Sequence, residues 1–216
     1  MEIQRSGVSN VYFTIGGIIS WLAVMLQLYL IILNKTASVP ETVIRFISYF
    51  TILTNILVAM CFTSVMTFSR HYTKFFSTAI VHSAVCVYII IVGLVYNLVL
   101  RQLWLPTGLQ QIVDELLHSV IPLLFLFHWM VFVSKSNLKW KSATLWLLYP
   151  LFYLLFILLR GSFSGFYPYP FVDVDTLGYA KVLTNSLILC FAFLILSILL
   201  IAVAKLSGRR TSNSKL

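Results

Sequence analysis

Residues Ile112 to Val133 read IVDELLHSVIPLLFLFHWMVFV. Past its leading acids the run is apolar, and it has the ~20 residues a helix needs to cross a membrane's hydrocarbon core. Five further runs of similar character flank it, roughly Val11 to Leu33, Val43 to Phe68, Ser77 to Leu100, Ala143 to Leu159 and Val182 to Ala204. The chain has 216 residues, is 60% hydrophobic and only 10% charged, and its mean hydropathy is +0.97. Soluble domains carry about 25% charged residues, so lipid replaces water around most of this surface. The expected fold is an all-α integral membrane bundle of six transmembrane helices, one domain over residues 1–216. A β-barrel would show alternating segments of ~10 residues, and none is present. The first run is too long, and lacks the small-residue site, for a cleaved signal peptide.

The basic residues are distributed unevenly. The amino terminus, the even loops and the tail hold Arg5, Arg70, Lys74, Lys135, Lys139, Lys141, Lys205, Arg209, Arg210 and Lys215, against Lys35, Arg45, Arg101, Arg160 and Lys181 in the odd loops. The positive-inside rule then predicts that both termini are cytoplasmic, in a multi-pass protein of the cell (plasma) membrane. The net charge of +9 reads as a topology and anionic-lipid signal. A nucleic-acid partner has no basic groove or soluble module behind it. Cys61, Cys86 and Cys190 all fall inside spans without metal-ligand spacing, and no metal or cofactor is expected. The closing Ser214 to Leu216 matches a peroxisomal address by coincidence. Asn34-Lys35-Thr36 is a sequon too close to the first span for ready glycosylation.

An ionisable residue inside a span is expensive unless it faces a partner or a wet cavity, which makes His118 the leading candidate. With the topology above, Thr51 on the second span and His118 on the fourth lie at similar depth on the outer side. Asn97, Arg160, Thr184, Asn185 and Gln27 lie towards that side too. Ser48, Thr51, Thr54 and Asn55 fall at i, i+3, i+6 and i+7, one polar stripe on an apolar helix. Hydroxyls and amides in such a stripe bond to backbone or glue helices together, or they face the histidine. Asp114 precedes His118 by four residues and shares its face, so its carboxylate is a candidate to orient the imidazole. Pro122 follows by four and removes the donor to the His118 carbonyl, which should bend the helix and open space. His82 and His128 lie in the opposite half and read as packed histidines, with haem ligation the alternative. His71 sits in a loop. The loop Arg160 to Asp173, rich in Gly, Pro and aromatics, reads as a lid or as an interfacial aromatic belt.

Three short segments resemble a known family. Tyr49-Phe50-Thr51 resembles the segment bearing the nucleophilic threonine of the androgen-induced and androgen-dependent multi-pass proteins, which hydrolyse fatty acid esters of hydroxy fatty acids. Leu117-His118 with Pro122 to Phe125 resembles the segment bearing their catalytic histidine, at an interval one residue shorter than in the animal members. Gly165 to Phe171 resembles their Gly-x-x-x-Tyr-Pro-Phe stretch. The chain looks closest to a bacterial six-span branch of unassigned role. The resemblance implies a lipid-ester hydrolase with a threonine nucleophile and an acyl-enzyme. Thr51 or Thr54 would attack, His118 would be the base, and Asp114 would orient it. Asn55, Arg160, Asn185, Tyr167 and Tyr169 would contact substrate or the oxyanion. The implied partner is a membrane lipid or fatty-acid ester. The alternatives are acyl transfer and a non-enzymatic lipid-binding or transport protein using the same pocket.

Overall fold

The computed structural model describes residues 7–66, 73–136 and 138–213. Arg5, Arg70, His71, Lys215 and the Ser214 to Leu216 tail lie outside them, and the side chains of Lys74, Arg209 and Arg210 are not described either. Among the described residues the chain is helical, without strands. Five helices are long and apolar enough to cross a membrane, and a sixth crossing results if one bent pair counts as a single span.

Helix α1 covers Gly7–Leu33. The bent pair follows, α2 over Val39–Ile47 and α3 over Phe50–Met66, meeting at 70°. The expected straight span from Val43 to Phe68 is therefore corrected: it breaks at Ser48 and Tyr49. No proline or glycine marks the break. A tyrosine from α9 holds it, since Tyr153 Oη donates to Ser48 O at 2.8 Å and accepts from Phe50 N at 3.2 Å. The first turn of α3 thus finds its partner in the tertiary structure. After the short α4 (Thr73–Phe76), α5 runs over Ala79–Val95, capped by Thr78 Oγ1 accepting from Val81 N, and ends in a π-helical turn at Tyr96–Leu100. The fourth span is α6 (Gly108–Glu115), a second π-turn (Leu116–Val120) and α7 (Ile121–Phe132). The short α8 (Ser142–Leu145), α9 (Leu148–Ser164), a 3-10 turn (Pro170–Val172) and the long α10 (Val174–Asn213) complete the chain; α10 is kinked at Gly178.

Helix α5 occupies the centre, packing against α3, α7 and α10. By contrast, α9 buries only Ile157 and Gly161 along its length and exposes Phe152, Leu155, Leu159 and Phe163. Such exposed apolar faces suit lipid. Because lipid tails are as apolar as leucine, close packing and interhelical hydrogen bonds hold such helices together. Tyr88 Oη donates to Trp146 O at 2.7 Å and Trp129 Nε1 to Ser83 Oγ at 2.8 Å.

His82 and His128 are fully buried and joined, His82 Nδ1 to His128 Nε2 at 2.8 Å, with His82 Nε2 2.6 Å from Phe76 O. A carbonyl only accepts, so Nε2 of His82 carries its proton and Nδ1 accepts from His128. Both nitrogens of His82 are thus engaged within the bundle, and the pair is packed in the core.

Candidate functional site

The polar stripe of the second span is buried throughout: Ser48, Thr54 and Asn55 are fully enclosed and Thr51 is 8% exposed. The helical break moves Ser48 off α3, where it caps α2. The other three point into the bundle from the first turns of α3, and each meets a different partner.

Thr51 meets the loop between α9 and α10. Tyr169 Oη accepts from Thr51 N at 3.1 Å and lies 3.2 Å from Thr51 Oγ1. Burial pushes the Tyr169 phenol up to about 12, so it stays protonated at neutral pH and can donate. Thr54 lies one turn deeper, its Oγ1 3.3 Å from Tyr149 Oη.

Asn55 reaches across to the fourth span. Its Nδ2 donates to Thr51 O at 2.8 Å and to Leu117 O at 3.3 Å. The second of these bonds answers to Pro122. In the π register the Ile121 N–H bonds to Leu116 O. The next donor would be position 122, where proline has no N–H. Leu117 O and His118 O are the carbonyls this leaves short. Asn55 supplies the first and Asn97 Nδ2 the second, at 3.2 Å. Two asparagines on two helices therefore stabilise the π-turn that carries His118. Gly93 permits the approach: a Cβ there would sit 3.1 Å from His118 O and 3.3 Å from Pro122 Cβ.

The space expected beside His118 is occupied. The Tyr96 ring stacks on the imidazole with centroids 3.8 Å apart at 10°. His118 Nδ1 lies 2.9 Å from Asp114 O; the carbonyl accepts, so Nδ1 bears the proton and Nε2 keeps its lone pair. No partner for Nε2 occurs among the described residues. Asp114 therefore meets His118 through its main chain. Its carboxylate accepts from Trp104 Nε1 at 2.9 Å, Gln110 Nε2 at 3.1 Å and Tyr96 Oη at 3.4 Å, holding the ring that stacks on the imidazole. Gln110 Nε2 also donates to Gln27 Oε1 at 2.9 Å, which ties α6 to α1.

A partly open, largely apolar cavity lies between α5, α9, α10 and the first turn of α3. Thr51, Tyr96 and Tyr169 line it among largely apolar neighbours such as Val95, Leu154, Leu189 and Phe193. Thr54 does not line it. The loop after α9 lies over this space, with Tyr169, Phe171 and Val172 contributing walls. Asn185 is several turns into α10, and its Nδ2 holds the loop by donating to Phe171 O at 3.0 Å. Tyr167 packs on Gly161, where a Cβ would overlap its ring. Arg160 is held in an ion pair, Nη2 to Glu41 Oε1 at 2.8 Å, and does not line the cavity.

Asn55 thus links the Thr51 carbonyl to that of Leu117, the residue before His118; Thr51 lines the cavity, His118 does not, and the two side chains are not hydrogen-bonded to each other. With both its protons committed, Asn55 has none for an oxyanion; Tyr169 does. Tyr96, Tyr149 and Tyr153 are site residues that sequence reasoning did not select, and Asn97 was named only as a polar residue on that side. The i, i+4 spacing of Tyr149 and Tyr153 on an apolar helix was the available signal for that pair. Compared with known protein families, with curated proteins and with solved structures, the chain matches none.

Proposed function

We propose that the protein is a membrane-embedded lipid-ester hydrolase in which Thr51 is the nucleophile and His118 the base. The observation that carries this reading is a threonine hydroxyl at an apolar cavity, on a helix tied through Asn55 to the π-turn that holds an imidazole of suitable tautomer. The resemblance of the Thr51, His118 and Tyr169 segments to the ester hydrolases supports it. Thr51 Oγ attacks the ester carbonyl carbon, and its proton passes to His118 Nε2. Tyr169 O–H turns from Thr51 Oγ1 to the developing oxyanion. The C–O bond to the alcohol breaks, the alcohol leaves with the proton from His118, and water then releases the acid from acyl-Thr51. For transfer from Thr51 to His118, a water bridges the two or Tyr96 swings off the imidazole. The acyl chain lies along Val95, Leu154 and Leu189. We place this site in the outer leaflet of the cell membrane and both termini in the cytoplasm, from the distribution of basic residues.

Turnover of a lipid-ester panel by purified Thr51→Ala, Thr54→Ala and His118→Ala proteins tests the reading. Thr51→Ala and His118→Ala are expected to lose at least ~10²-fold in rate, and Thr54→Ala to stay near the parent. Equal turnover by all four proteins contradicts it. The missing Thr51–His118 hydrogen bond favours a second reading, a non-catalytic lipid-binding protein. A co-purifying lipid without ester cleavage by any variant selects that reading, and product analysis separates hydrolysis from acyl transfer.

A further inference from the structure

Arg45 on α2 and Arg160 on α9 converge on one carboxylate. Arg45 Nε and Arg160 Nη2 both donate to Glu41 Oε1, each at 2.8 Å. Their guanidinium carbons lie 4.6 Å and 5.0 Å from the centre of the same Phe166 ring, and Arg160 Nη1 reaches Phe166 O at 3.4 Å. The Arg160 side chain is only 10% exposed. Two cations share one anion, so the cluster carries a surplus positive charge. Among the described residues neither guanidinium pairs with another carboxylate, and the Nη groups of Arg45 have no partner. A partly buried, uncompensated charge is costly, and a bound anion relieves that cost.

The surroundings say what kind of anion. α2 lies at 70° to α3 and exposes Val39, Val43, Ile44 and Ile47 beside its charged residues. This is the pattern of a helix lying in a membrane interface, where its charges sit among lipid headgroups. Phe166, beneath both guanidiniums, contacts Tyr49 at 6.2 Å, and Tyr49 contacts Tyr169 at 5.7 Å. Tyr169 is both the Thr51 partner and a wall of the apolar cavity. The Phe166, Tyr49 and Tyr169 rings therefore run in succession from the arginines to a site for an aliphatic chain.

We propose that Arg45 and Arg160 form a receptor for the oxyanion of an amphiphile whose chain occupies the cavity beside Thr51. The oxyanion is a carboxylate of a fatty acyl compound or a phosphate of a lipid headgroup. Glu41 holds the two guanidiniums together and also weakens the anion's hold. Binding stands independently of catalysis. If the hydrolytic reading holds, the receptor selects esters that carry a free anionic head.

The experiment is equilibrium binding of palmitate, palmitoyl-lysophosphatidate and hexadecanol to the full-length protein in neutral detergent. At least one anionic ligand is expected to bind about tenfold or more tighter than hexadecanol. Arg45→Gln and Arg160→Gln remove that preference and leave hexadecanol unchanged, whereas Glu41→Gln strengthens it. Selectivity for palmitate assigns a carboxylate, and selectivity for the lysolipid a phosphate. If Arg160→Gln does not fold, Arg45→Gln and Glu41→Gln carry the test. Binding is read without turnover, so a failure of the hydrolytic reading leaves this result readable. Equal binding of all three ligands overturns the proposal, as does a preference that survives Arg45→Gln.

Discussion

Asn97→Leu tests how the π-turn bearing His118 is held. Asn97 Nδ2 donates to Gly93 O at 2.8 Å and to His118 O at 3.2 Å. Losing the first bond costs little, because Gly93 O also accepts from the Tyr96 N–H. Losing the second leaves the His118 carbonyl without a donor, since Pro122 has none to give. An unsatisfied buried polar group costs ~1–3 kcal/mol, while interhelical hydrogen bonds in membranes average ~0.6 and reach ~1.7 kcal/mol. A loss of ~1.5 kcal/mol is expected. Pro122→Ala restores an N–H at position 122, which serves His118 O once the turn takes the α register. In that background Asn97→Leu should cost only ~0.5 kcal/mol. The resulting coupling of ~1 kcal/mol exceeds the ~0.3–0.5 kcal/mol scatter of additive pairs. Unfolding of the four proteins of this cycle in one mixed-micelle series reads it directly. Equal cost of Asn97→Leu in both backgrounds refutes the account of the two asparagines.

Gly93→Val drives methyl groups at His118 O and Pro122 and should destabilise by ~1–3 kcal/mol through overpacking, read in the same unfolding series, with Gly93→Ala losing less. His82→Ala strips the donor from Phe76 O and the acceptor from His128 and opens a cavity, so it should cost ~3 kcal/mol or more; a change under ~0.5 kcal/mol would show that the pair is dispensable. Burial pushes the Tyr169 phenol up to about 12 in the folded protein, against ~10 unfolded. Its neutral form is the one the fold favours, so its contribution is intact below about pH 10 and lost as pH rises towards about 12. Tyr169→Phe should therefore lose less stability over that window than the parent, and parallel curves would contradict the buried phenol.

The sequence reads best where one segment decides its own fate. Long apolar runs made helices, the spacing of Thr51, Thr54 and Asn55 put all three inside, and Pro122 marked a disturbed turn beside His118. What escaped reading depends on groups distant in the chain. The bend at Ser48 and Tyr49 is held by Tyr153, about a hundred residues on. The Asn97 and Asn55 side chains, on two other helices, turn an expected opening at Pro122 into a filled π-turn. Asp114 shares a face with His118 as its spacing implies, yet three side-chain donors occupy its carboxylate. Arg160 looked free to meet an oxyanion because its partner Glu41 lies 119 residues earlier in the chain.

Covalent labelling at Thr51 tests the central claim most directly. The purified protein is treated with a fluorophosphonate that reacts with activated hydroxyls, and the adduct is mapped by mass spectrometry. The account predicts a single adduct on Thr51 Oγ that disappears in His118→Ala and persists in Thr54→Ala. An adduct elsewhere, or labelling of Thr51 that is unchanged without the imidazole, contradicts it.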